Sequence, residues 1–222
     1  MKQARFLSLA CVGWLIGLTT FATVQEDAKS LSPREAALGA GRWIRHHQIE
    51  TEHGLAWPVV PDESNDVSRI LYSGTPGVIL FFLELHRATG DASWLDDAKR
   101  GADDLQATLP ESMGSTDPGL WTGLAGQAFT LHRVFLATND EQYLQGAKKA
   151  IDLLKRGAIE DEDGTGVHWN DVTDIIAGTA GIGLFLIYAA NEMDDPEALN
   201  LAMQAGVQLM SAEESVVLDL AD

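Results

Sequence analysis

Apolar residues in this chain fall into two alternating kinds of segment. One kind is apolar on nearly every side, as in Val78 to Leu85, where Glu84 is the only charge. Such a segment predicts a helix buried all round. The other kind repeats at helical spacing. Tyr143, Ala147, Ala150, Ile151 and Leu154 form one stripe with charged residues elsewhere, which predicts an amphipathic helix with one buried face. A short polar break separates the two kinds and ends in a capping residue: Ser93, Asp140, or Asp195 ahead of Pro196. Each pair therefore reads as a helical hairpin, and the alternation suits two nested layers, inner and outer.

The hairpins are copies of one another. Segments of 25 residues beginning at Gly74, Gly123 and Gly178 align without a gap. All three open on a GxxG pair: Gly74 and Gly77, Gly123 and Gly126, Gly178 and Gly181. They also share an Asp (Asp91, Asp140, Asp195), a Leu (Leu95, Leu144, Leu199) and an Ala (Ala98, Ala147, Ala202). Glycine at both GxxG positions lets the linker turn tightly and the helix start approach its neighbour closely. A further outer-type helix precedes the first repeat, opened by the capping box Ser32-Pro33-Arg34-Glu35. Gly- and Trp-rich linkers lead into each GxxG, and strand-type alternation is sparse.

The first residues are a separate object. Lys2 and Arg5 precede a short apolar run from Phe6 to Gly17, and Thr20 and Ala22 suit a cut after Ala22. The expected organisation is an export signal over 1–22, a short polar linker over 23–31, and one helical domain over 32–222, in a secreted or periplasmic protein. Cys11 is the only cysteine, and Ser8 stands where a lipid-attachment motif wants a large aliphatic residue. No intrachain disulfide framework can form. Against 15 Lys and Arg stand 33 Asp and Glu, a net charge of −18. That surface repels phosphate backbones and anionic lipid, so neither nucleic acid nor, once the signal is cut, membrane is an expected partner.

Few clusters carry chemistry on their own. Asp161, Asp163 and Thr165 alternate around a glycine, but the twelfth position of a calcium loop begun at Asp161 is Val172, so a solvated acidic turn is expected. Asp62, Glu63 and Asp66 make an acidic cluster in the first linker. His46, His47 and His53 lack companions at metal-site spacing, and His86 and His132 occupy different repeat columns. Trp57, Trp121 and Trp169 recur ahead of the GxxG segments, either packing linkers against helices or flooring a ligand site.

The GxxG-headed segments LYSGTPGVILFFLEL, GLWTGLAGQAF and DVTDIIAGTAGIGLFL resemble the inner helices of the lanthionine synthetase C-like family, over roughly Ser32 to Met210. The resemblance implies an all-α fold of repeated helical hairpins, an incomplete double-layered α/α barrel or toroid. Asp174 matches the Asp of the family's D-x-x-x-G-x-x-G segment, where the resemblance implies acid–base work; the alternative is a helix cap. His168, Trp169 and Asp171 are candidates to line the same mouth. The resemblance also implies zinc held by two cysteines and a histidine, which this chain lacks after Cys11. No metal site and no cofactor are therefore expected here, zinc only with a missing C-terminal half, and enzymatic activity stays open. A closed barrel takes more hairpins than three, so truncation or a degenerate half-barrel is expected, with self-association through exposed terminal helices. The expected function is an exported peptide-modifying or peptide-binding barrel fragment, not competent by itself. The alternatives are a carbohydrate-active enzyme on a six-hairpin toroid, pairing Asp62 with Asp174 across a sugar bond, and a non-catalytic interaction module. The expected ligand is a peptide or glycan.

Overall fold

The structure is a computed structural model that describes residues 31–61, 63, 66–162 and 164–219. The expected export segment 1–22, most of the 23–31 linker, Cys11, Asp62 and Asp163 lie outside the described residues. Seven helices carry the described chain: α1 (Pro33–His46), α2 (Thr75–Thr89), α3 (Ala92–Ala107), α4 (Leu124–Thr138), α5 (Glu141–Gly157), α6 (Thr179–Glu192) and α7 (Pro196–Asp219). The fold is all-α in its architecture. Two short antiparallel ribbons interrupt the linkers, β1 (Ile49–Glu50) with β2 (Leu55–Ala56) and β3 (Ile159–Glu160) with β4 (Val167–His168).

The capping box ahead of α1 forms as the sequence predicts. Ser32 accepts from the Glu35 N–H, and the Glu35 carboxylate accepts from the Ser32 N–H at 2.9 Å. The three hairpins are α2–α3, α4–α5 and α6–α7, and they stand side by side. Inner α4 touches both α2 and α6, and outer α5 touches both α3 and α7. Each hairpin turns on a left-handed residue, Gly90, Asn139 or Asp194, with φ of 72°, 56° and 55°. These residue types tolerate that conformation best. The next residue in each repeat is the shared Asp. Asp91 accepts from the Ser93 N–H, Asp140 from Gln142 and Asp195 from Ala198. The cap of α3 is thus Asp91 rather than Ser93, two residues earlier than expected. The shared Asp column is an N-cap column.

The core lies between the layers. Ala98 and Ala147 in the shared column are fully buried, which allows close approach of outer to inner helices. Phe82, Leu131, Phe185 and Leu186 contribute to the same core from the inner side. The inner helices are not buried all round, contrary to expectation. Glu84 and Leu136 are exposed, and so are Leu184 and Ile187 on α6. For α6 position contributes: among the described residues α6–α7 has a neighbouring hairpin on one side, and Leu199, Met203 and Met210 on α7 are exposed as well. Lys155 ties the second hairpin to the third, 2.8 Å from Asp195 and 2.9 Å from Glu197.

Candidate functional site at the inner-helix N-termini

An inner helix that begins at glycine has no side chain to satisfy its first N–H groups. The linkers supply backbone instead. The first helical N–H of each inner helix donates to the carbonyl six residues before its leading glycine: Thr75 to Ser68, Leu124 to Asp117 and Thr179 to Val172, all at 2.9 Å. The next N–H follows suit at Ala125 to Pro118 and Ala180 to Thr173, both at 3.3 Å, while Pro76 has no donor to satisfy. Both glycines of every pair are explained by this return of the linker. A Cβ on Gly74, Gly123 or Gly178 would overlap the carbonyl of Ser68, Asp117 or Val172, and one on Gly77, Gly126 or Gly181 the carbonyl of Leu71, Leu120 or Ile175.

Successive linkers are also joined sideways. The Tyr72 N–H donates to the Trp121 carbonyl at 2.9 Å, and the Trp121 N–H to the Ile176 carbonyl at 2.9 Å. All three stand two residues before the first glycine of their repeats, and all three side chains are exposed. In the third linker the Ile176 N–H turns to the carboxylate of Asp174. Asp174 Oδ1 accepts from Ile176 at 2.8 Å, Ala177 at 2.8 Å and Gly178 at 3.2 Å. The Ala177 bond weighs most, and with those from Ile176 and Gly178 it holds the Asp174 carboxyl below the usual range, against the opposing effect of desolvation. This residue is therefore an anionic staple of its own loop, exposed to solvent. Asn170 completes the loop, its amide donating to the Ala177 carbonyl at 3.0 Å and its Oδ1 accepting from Val172 at 3.1 Å.

The other candidates sit apart from that carboxylate. His168 on β4 faces Asp161 across the ribbon, Nδ1 to Oδ1 at 3.1 Å. Trp169 is buried in the core, and its indole N–H donates to the Leu154 carbonyl at 2.7 Å. Asp171 is exposed at the start of the loop. The structure thus brings His168 to Asp161 and Asp174 to Ile176, Ala177 and Gly178, with no bond between the two sets. The tryptophans divide as well. Trp57 and Trp169 each follow the second strand of a ribbon and are buried, whereas Trp121 belongs to the exposed rim column with Tyr72 and Ile176.

A zinc site of two thiolates and a histidine does not fit this donor set. The only cysteine is Cys11, outside the described residues, and among those residues no three His, Cys, Asp or Glu side chains gather to hold a metal. Among the described residues, too, no helix is long and apolar enough to cross a membrane.

A row of hairpins, each entered through a glycine-headed linker capped by backbone, defines a two-layered α/α repeat protein. The sequence profile of the lanthionine synthetase C-like proteins matches residues 65–221. The chain belongs to the lanthionine synthetase C-like family. Comparison with curated protein sequences finds no match.

Sequence reasoning grouped the tryptophans by type and so missed the rim column. The signal was available: Tyr72, Trp121 and Ile176 share one offset from the leading glycine.

Proposed function

We propose that this chain is an exported, peptide-binding member of its family that does not itself activate a thiol. The observation that carries this reading is the rim over the inner-helix N-termini. Tyr72, Trp121, Ile175 and Ile176 expose large apolar side chains on backbone locked by the sideways hydrogen bonds. Aromatic and aliphatic side chains held in place are effective peptide anchors because little entropy is lost when they bind. Asp174 shapes that rim in this reading. A carboxylate held ionised by three N–H groups is poorly matched to proton transfer near neutral pH. The donor set supports the second half of the proposal, since no thiolate ligand pair is available.

The test uses a fluorescein-labelled peptide bearing one cysteine and one dehydrobutyrine. Saturable anisotropy should appear with the wild-type chain and weaken about tenfold in Trp121→Ala. The peptide thiol should stay fully alkylatable after incubation, since thioether formation would consume it without changing the peptide's mass. Absence of saturable binding would refute the peptide reading. Loss of the alkylatable thiol would refute the claim of missing chemistry.

A further inference from the structure

A pocket of about 260 Å³ opens between α1, the first linker and the start of α2, lined by none of the residues around Asp174. Its walls include Trp43, His47, Trp57, Pro58, Pro61 and Tyr72. Trp43 and Tyr72 are 54% and 71% exposed, too much for core packing to explain their size, while Trp57 is 4% exposed and forms part of the wall. The volume admits one side chain or a small amine rather than a drug-sized molecule.

Charge decides what kind. No Lys or Arg lines this pocket. The His47 Nδ1 lies 2.8 Å from the Trp43 carbonyl, which only accepts, so Nδ1 carries a hydrogen and neutral His47 keeps its lone pair on Nε2. The loop that supplies Val59 and Pro61 to the wall turns back through Val59 N–H to the Asp66 carbonyl, and it carries exposed Glu63 and Asp66. The start of α2 offers little to an anion. Thr75 N–H is bonded to Ser68, Pro76 has none, and Gly77 N–H is bonded to Gly74. Of the neighbouring cations, Arg45 bonds Asp97 and lies 3.8 Å over the Trp94 ring, Arg69 bonds Asp104, and Arg42 is exposed on α1 and does not line the pocket. The chain as a whole carries −18.

We propose that this pocket is a binding site for an alkylammonium group, held against Trp43 and Tyr72 beside the loop that carries Glu63 and Asp66. Aromatic faces attract organic cations through their ring quadrupole, and the apolar wall suits a methylene- or methyl-bearing head. Such chemistry comes either as a free quaternary amine or as a lysine side chain of a peptide. The site shares Tyr72 with the peptide-binding rim but not Trp121, Ile175 or Ile176, so Trp43→Ala and Trp121→Ala tell the two apart.

The experiment is an NMR titration of the full chain, read on the Trp43 indole, with tetramethylammonium, choline, Nα-acetyl-lysine methylamide and the neutral isostere of choline, 3,3-dimethylbutanol. Choline or the lysine amide should saturate, with the neutral isostere about tenfold weaker. Tighter binding of choline and tetramethylammonium assigns a free quaternary amine, and tighter binding of the lysine amide assigns a peptide lysine. Read by isothermal calorimetry, Trp43→Ala and Tyr72→Ala should each weaken the cation about tenfold. Trp43→Phe should recover part of that loss, and Trp121→Ala should leave it unchanged. Trp43 is half exposed, so circular dichroism should be unaltered in its variants. Equal binding of choline and its isostere, competition by inorganic phosphate, no saturation by any cation, or full affinity in Trp43→Ala would each overturn the proposal.

Discussion

Gly123→Ala isolates the physical basis of the GxxG pair. At Gly123 φ is −157°, outside the left-handed region that favours glycine, so the main penalty on alanine is the steric one. A Cβ there would overlap the Asp117 carbonyl and stand 2.9 Å from Asp117 Oδ1, where real contacts almost never fall below 3.0 Å. The linker must retreat, and the Leu124 N–H bond to Asp117 goes with it. Leu124 is fully buried, so its N–H is left without water to replace the bond. Loss of a buried backbone hydrogen bond costs about 1–3 kcal/mol, and overpacking adds about 1–3 kcal/mol. The sum, roughly 2–6 kcal/mol, is a large part of the 5–15 kcal/mol or so that holds a domain folded. Gly39→Ala is the matched control: it lies within α1 with nothing within 4 Å of a new Cβ, and should stabilise by about 0.5–1 kcal/mol. Urea unfolding followed by helical circular dichroism reads both. A Gly123→Ala midpoint equal to that of Gly39→Ala would refute the clash, and with it the account of all six glycines.

Other perturbations test neighbouring steps. Burial holds His132 below the ordinary histidine value, opposed by Glu192 and assisted by Arg133, and its Nδ1 lies 2.7 Å from the Tyr188 hydroxyl. The unfolded chain therefore takes up that proton first, so stability is full above about pH 6.5 and declines as pH falls below it. Urea midpoints from pH 8 to 5 should show that slope, and His132→Phe should remove its share. For Asp174 the sign is the usual carboxylate one: its contribution is present above its unfolded value, near 3.9 or so, and is lost as pH falls through the lower folded value. Carboxyl-carbon NMR should find it titrating below the ordinary range, and Asp174→Ala should loosen hydrogen-exchange protection at Ile176, Ala177 and Gly178. Asp195→Ala removes both the cap to Ala198 and the Lys155 pair, and should cost about 1–2 kcal/mol in urea midpoints.

How much of this was legible depends on whether the partner lies near in sequence. The hairpins, the capping box at Ser32 and the helical stripe through Tyr143 were readable because local periodicity and capping chemistry act within a few residues. The cap of α3 was misplaced because Asp91 and Ser93 are both good N-caps. Only the left-handed turn at Gly90 puts Asp91 in extended backbone at the helix start. Burial of the inner helices was overestimated, since an apolar sequence does not record how many neighbours a helix has. Leu184 and Ile187 are exposed, whereas Leu80 and Leu83 in the same columns of the first repeat are half-buried and buried.

The site shows the sharper limit. Asp174 and the glycines could be singled out in sequence, but what they do rests on carbonyls that any residue would supply. Ser68, Asp117 and Val172 share no side-chain chemistry, yet each presents the same backbone oxygen to the same helix start. What matters at those positions is the path of the linker, and only glycine, which must leave room for it, carries a visible mark. The rim follows from the same cause. Once the linkers are fixed by backbone bonds, the residue two places before each leading glycine points to solvent whatever its type, and Tyr72, Trp121 and Ile176 are free to differ. A constant scaffold beneath three dissimilar apolar side chains is the arrangement expected where the backbone holds position and the side chains set what is bound.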